Sequence, residues 1–152
     1  MIVPTIWHVA EINVGKIIAP YHDPIMVGFV QGMAHINEQA ERAHGFVWRL
    51  KLIDDPPGTE SQIFGENMVV NVSVWESTDQ LIIFTYTGDH LDFYQRRAEW
   101  IEKSTAPMMA MWYIRTGTVP TLDEAKQRLD YICEHGASPY AFTMRHSYPV
   151  PD

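Results

Sequence analysis

The chain has 152 residues, 46% of them hydrophobic, which is enough for one domain with its own core and too apolar for a disordered chain. Its formal net charge is -8, and no run of Lys or Arg goes beyond Arg96-Arg97, so phosphate backbones and anionic membrane surfaces are poor partners. The single Cys133 cannot form an internal disulfide, no apolar run approaches the ~20 residues of a membrane span, and Met1–Thr5 carries no signal-peptide flank; together these predict a cytoplasmic protein.

Thr5–Val14 alternates in character and is predicted as a strand. Pro24–His44 repeats Ile25, Phe29, Met33, Ile36 and Ala40 at helical spacing, with Gly45 placed to end the helix and Gly28-x-x-x-Gly32 as a close-packing face. Phe46–Ile53 is a second strand. Asp54–Asn67 is read as a long hairpin loop, and Met68–Trp75, dense in β-branched residues, as the third strand.

Ser77 with Gln80 forms a capping box for a helix to about Thr87. Gly88 breaks it and Asp89 caps the next helix, His90–Lys103. Pro107–Ile114 is a fourth strand. Thr121 and Glu124 cap a helix that buries Leu122, Ala125, Leu129, Ile132 and Cys133 and stops at Gly136, and a last short strand covers Tyr140–Arg145. The order β-α-β-β-α-β is ferredoxin-like, extended by one helix and one strand, and no internal boundary divides residues 1–152. The fold class is therefore α+β, an antiparallel sheet with helices on one face.

Splitting each strand into its two faces gathers Glu11, Asn13, Arg49, Asn71, Ser73 and Trp75 on one side, with Trp7, while Val70, Val72 and Val74 fall on the other. Two readings stay open for the polar side. It is a solvated sheet face, or it is covered by a partner chain and lines a ligand cavity. Trp7 and Trp75 there favour the second, and with it a homodimer whose sheets face each other. A Glu11–Arg49 pair would then be a buried ion pair that orients a ligand.

His90 follows Gly88-Asp89 in the first helical turn, and at 100° per residue Tyr94 and Arg97 share its stripe, pointing inward with it. A histidine at a helix N-terminus is biased toward the neutral form. It is either a packing residue with a backbone hydrogen bond or a catalytic or ligand-binding group. The remaining histidines have simpler expectations, such as capping for His44 and His135 and core packing for His8. No P-loop, dinucleotide-binding glycine pattern or zinc motif occurs.

His8-Val9-Ala10-Glu11-Ile12-Asn13, Gly45-Phe46-Val47-Trp48-Arg49-Leu50, Asn71-Val72-Ser73-Val74-Trp75-Glu76-Ser77 and Arg96-Arg97-Ala98-Glu99-Trp100 together resemble an uncharacterised bacterial domain family grouped with the dimeric α+β barrels, relatives of the antibiotic biosynthesis monooxygenases. The resemblance runs on through Pro120-Thr121 and Pro139-Tyr140-Ala141-Phe142. It implies a dimeric barrel and a superfamily that includes cofactor-free monooxygenases, isomerases, cyclases and haem binders, several of them similar near Thr87-Gly88-Asp89-His90.

The expectation that follows is a small-molecule enzyme without cofactor, acting on an apolar, aromatic or enolisable substrate by proton abstraction. His90 would be the acid–base group, Tyr94 its proton or hydrogen-bond partner, and Arg97 or Arg49 a stabiliser of negative charge. Glu11, Asn13, Arg49, Asn71, Ser73 and Trp75 would line the substrate site. The alternatives are a haem protein with His90 as axial ligand and a non-catalytic module that binds a small ligand.

Overall fold

The computed structural model describes residues 6–51 and 59–152. The expected strand residues Thr5, 52 and 53, and the first five residues of the expected hairpin loop, 54–58, lie outside the described residues. Four strands form one antiparallel sheet: β1 (Trp7–Lys16), β2 (Phe46–Arg49), β3 (Met68–Trp75) and β4 (Met109–Arg115), in the spatial order β2-β3-β1-β4. This is the ferredoxin-like order, with the first strand central. The helices are α1 (Val27–Arg42), α2 (Thr59–Phe64), α3 (Thr78–Thr85), α4 (Gly88–Gln95) and α5 (Leu122–His135).

Local chemistry fixes several of these ends. Ser77 accepts from the Gln80 backbone N–H at 3.2 Å and donates to its side chain at 3.0 Å, and Thr121 accepts from the Glu124 N–H at 3.1 Å. Each such cap is worth about 1 kcal/mol. Gly45 has φ +89 and its carbonyl accepts from Glu76 N–H at 2.7 Å, so the turn from α1 into β2 is tied to the end of β3. A Cβ on Gly32 would run into the Phe93 ring, which is how α1 and α4 come close.

Register assigns the two faces. Ala10 pairs with Val74 and Trp112, and Ile12 with Val72 and Ala110. These residues form a buried core with Leu122, Ala125, Leu129 and Ile132 of α5. On the alternate positions Val9 pairs with Trp75 and Tyr113, Glu11 with Ser73 and Met111, and Asn13 with Asn71 and Met109. That face packs Val9, Trp75 and Met111 against Ala40 of α1, Leu81 of α3 and Phe142. A third cluster at the far end joins Ile17, Phe29, Val69 and Trp100.

Both faces of the sheet are thus covered within one chain. Trp75 is 1% exposed, stacked on Phe84 at 5.1 Å and edge-on to Phe46 at 5.5 Å. The expectation that a partner must shield the Trp75 face is corrected here: its own helices do so. Alternation along a strand separates two faces but does not say which helix lands on which, and α5 takes the apolar face instead.

Four further expectations change. The loop over residues 54–67 contains α2, six residues long. The helix from His90 ends at Gln95 and continues only as a 3-10 turn, Arg97–Glu99. The last strand is reduced to a single bridge in which Met111 and Phe142 exchange backbone hydrogen bonds of 2.7 and 2.9 Å. Cys133 is exposed, its sulfur 3.5 Å from the Pro107 carbonyl, and is not part of the α5 core stripe. Among the described residues no helix is long and apolar enough to cross a membrane.

Candidate functional site

The polar row converges on one carboxylate. Glu11, in the middle of the central strand, is 5% exposed. Asn13 Nδ2 donates to both of its oxygens, at 3.2 and 3.0 Å, and the Ser73 hydroxyl donates to Oε1 at 2.8 Å. Trp75 Nε1 donates to Ser73 Oγ at 3.0 Å, and Asn71 Nδ2 donates to Asn13 Oδ1 at 3.3 Å. Five of the six residues gathered by strand alternation therefore form one connected network. Burial pushes the Glu11 carboxyl up to about 7, with the bonds from Asn13 and Ser73 pulling it partly back. At neutral pH such a group is divided between its two protonation states, so it can take up a proton and release it again.

Arg49 does not join this network. It pairs with Ser73 in register, but β2 is an edge strand with a bulge between Phe46 and Trp48. From there its Nε donates to Glu41 of α1 at 2.7 Å, and that bond holds the Glu41 carboxyl below its usual range. The expected Glu11–Arg49 pair is corrected to Glu41–Arg49. The rim offers a hydrated partner, whereas bringing the guanidinium under α1 would desolvate it.

Two clefts meet at Arg49. One, of about 480 Å³, follows the open side of β2 between Glu41 and Lys51. The other, of about 390 Å³, lies between α1 and the β2–β3 edge, with α2 contributing Glu60. Its apolar wall includes Phe29, Met33 and Val69, and its polar wall Arg49, Lys51, Asn71 and Glu60. Asn71 thus stands in the cleft wall at the outer end of the row that leads to Glu11. Sequence reading missed Glu60, Tyr21 and Lys51 as lining residues. Glu60 sits in what reads as loop, and nothing in strand periodicity marks a residue that reaches in from a separate short helix.

His90, Tyr94 and Arg97 do not converge. His90 is half-buried, its Nδ1 is 2.9 Å from the Thr85 carbonyl, and its ring meets Phe84 edge-on at 5.2 Å. The carbonyl only accepts, so Nδ1 carries the proton and Nε2 keeps its lone pair. Burial lowers the His90 pKa. Tyr94 is 39% exposed and Arg97 is exposed, with the Arg97 guanidinium 4.0 Å above the Tyr94 ring. Their expected inward direction is corrected: Phe93, stacked between Phe29 and Trp100, marks the inward side of α4, and Tyr94 is turned away from it. Asp89 ties α4 to α1 by accepting from His35 at 2.9 Å and Gln39 at 2.8 Å.

His90 lines neither cleft. Among the described residues no group of three or more His, Cys, Asp or Glu is gathered for a metal ion.

None of the curated proteins matches this chain. Among solved structures it is similar to NE2512, a protein of unknown function from Nitrosomonas europaea, at 8% identity and a TM-score of 0.47, covering 76% of this chain and 95% of that one. It is also similar to SnoaB, a cofactor-independent oxygenase from Streptomyces nogalater, at 17% identity and a TM-score of 0.42, covering 76% of this chain and 96% of that one. The sequence matches the model of one family over residues 8–152, nearly its whole length, and the chain belongs to that family, DUF3291, a domain of unknown function.

Proposed function

We propose that this chain is a small-molecule enzyme whose organic substrate enters by the α1/β2–β3 cleft and passes Asn71 to reach Glu11, the base that takes its proton directly. The observation that carries the reading is the buried Glu11 carboxyl, raised to about 7 and joined through Asn13 to Asn71 in the cleft wall. Ser73 and Trp75 position Glu11 by a chain of donated hydrogen bonds. Asn71 meets the substrate, and Arg49 offsets the negative charge that proton removal leaves behind. Proton abstraction is the first step shared by cofactor-free oxygenation, isomerisation and cyclisation, and an enolisable or aromatic substrate with an apolar body suits the Phe29–Met33 wall.

His90, Tyr94 and Arg97 take no part in this reading. His90 closes the α3–α4 corner through Thr85, and the Tyr94–Arg97 pair lies on the outside.

The test has two parts. The Glu11 side-chain carboxyl, labelled with carbon-13, should titrate near pH 7 by NMR. Enolisable carbonyl compounds screened in deuterated water should exchange their acidic hydrogens faster with the wild-type chain than with Glu11→Gln. A carboxyl titrating near 4.5, or exchange that Glu11→Gln leaves untouched, removes Glu11 as the base and favours a module that binds without catalysis.

A further inference from the structure

We propose that the α1/β2–β3 cleft takes a small organic anion with a hydrogen-bond donor at its far end, the anionic group resting on Arg49 and Lys51 and the donor on Glu60. This names the substrate class of the same cleft. It rests on the proton-transfer reading for its chemistry, but binding can be measured without it.

The anionic end follows from an uneven count of charges. Arg49 and Lys51 share one carboxylate: Glu41 Oε1 lies 2.7 Å from Arg49 Nε and 3.9 Å from Lys51 Nζ. Among the described residues two cations thus share one anion at this end of the cleft. A guanidinium has five N–H donors. On Arg49, Nε is used by Glu41, and Nη1 reaches only the neighbouring Leu50 carbonyl at 3.5 Å, the limit of a hydrogen bond. Among the described residues nothing else takes up the planar fork, the geometry that receives a carboxylate.

The donor end follows from Glu60. It enters the cleft from α2, and among the described residues no cation pairs with it; every Lys and Arg of the chain is among those residues. Burial raises its pKa. Its charge adds to the burial that raises the Tyr21 pKa, so Tyr21 stands beside it. A half-buried carboxyl with no cation beside it among the described residues is a point where an ammonium or hydroxyl docks. Phe29 and Met33 between the ends supply contact for an apolar body.

The probes are four small aromatics built on one benzene ring: 4-(aminomethyl)benzoate, 4-(hydroxymethyl)benzoate, 4-methylbenzoate and benzylamine, titrated calorimetrically into the wild-type chain at pH 7.5. The two benzoates with donors should bind about tenfold tighter than the other two, the worth of one charge-assisted hydrogen bond. Glu60→Gln should erase their advantage over 4-methylbenzoate. Arg49→Met should weaken all three benzoates about tenfold, and Lys51→Met serves as a second variant if Arg49→Met does not fold. Equal binding of 4-methylbenzoate and its donor-bearing relatives, or no benzoate binding at millimolar concentration, overturns the proposal. If Glu11 titrates near 7 while no benzoate binds, the proton-transfer reading survives and this one falls. If the benzoates rank as expected and Glu11 titrates near 4.5, the reverse holds.

Discussion

Glu11→Gln should stabilise the protein above neutral pH and hardly at all in mild acid. The side chain keeps its length, and the amide oxygen can keep the Ser73 bond while Asn13 retains an acceptor. What changes is titration. In the fold the Glu11 carboxyl is raised from 4.5 to about 7, so folding favours its protonated form. The stability that goes with this form is fully present below pH 4.5. It is lost as pH rises through about 7, and the loss is complete above that. At about 1.4 kcal/mol per pKa unit the total is about 3 kcal/mol. Gln is neutral throughout and escapes the loss.

The stability gap between Glu11→Gln and wild type should therefore widen by about 3 kcal/mol between pH 4.5 and pH 8. In thermal melts of a chain this size that is roughly 6–12 °C. Of the other shifted carboxyls, Glu60 is raised as well, while Glu41, Asp89 and Glu99 have lowered values and act in the opposite sense at low pH. They are common to both proteins and cancel in the difference. Denaturant titrations at half-unit pH steps would measure it. A constant offset from the altered hydrogen bonds shifts the whole curve without bending it. A gap flat to within 1 kcal/mol over that range would refute the burial argument for Glu11.

Ser73→Ala removes one of the two donors that pull the Glu11 carboxyl back, so its pKa should move further above 7, read by the same carbon-13 titration. The variant also strands Trp75 Nε1, and melts should show a loss of about 1–3 kcal/mol. His90→Ala opens the Thr85 bond and the Phe84 contact. It should destabilise the fold by about 1–2 kcal/mol while leaving proton exchange by Glu11 intact; loss of exchange with unchanged stability would return His90 to the role its helix position first suggests.

Strand chemistry carried most of the legible signal. A period of two places Glu11, Asn13, Asn71, Ser73 and Trp75 on one side, and antiparallel pairing brings them into a single network. Cap residues at Ser77 and Thr121 likewise set the starts of two helices. What the chain could not disclose was tertiary. Two faces can be told apart by alternation, yet which is covered by α1 and α3 and which by α5 depends on how the connections cross the sheet. The stripe through His90, Tyr94 and Arg97 assumed an unbroken helix to Lys103, whereas α4 stops at Gln95 and its inward side runs through Phe93. Arg49 reads as a ligand for Glu11 because they share a face. Its partner is instead decided by edge position, where an exposed Glu41 from another element is nearer than a buried carboxylate.

Because α5 is the cover of the Ala10–Ile12–Val72–Trp112 wall, this protein cannot complete itself early in synthesis. Central β1 leaves the ribosome first, yet Glu11 waits 62 residues for Ser73, and β1's other neighbour, β4, is made later still. Even then a nascent chain lacking the segment from Leu122 onward holds all four strands with one side bare. That bare side is a broad sheet of valine and tryptophan, the kind of surface that invites association between unfinished chains or capture by a chaperone. The outer side of α5, with Asp123, Glu134 and the ion pairs Lys126–Asp130 and Arg128–Glu124, then serves a second purpose: it closes the oily surface with a hydrated one.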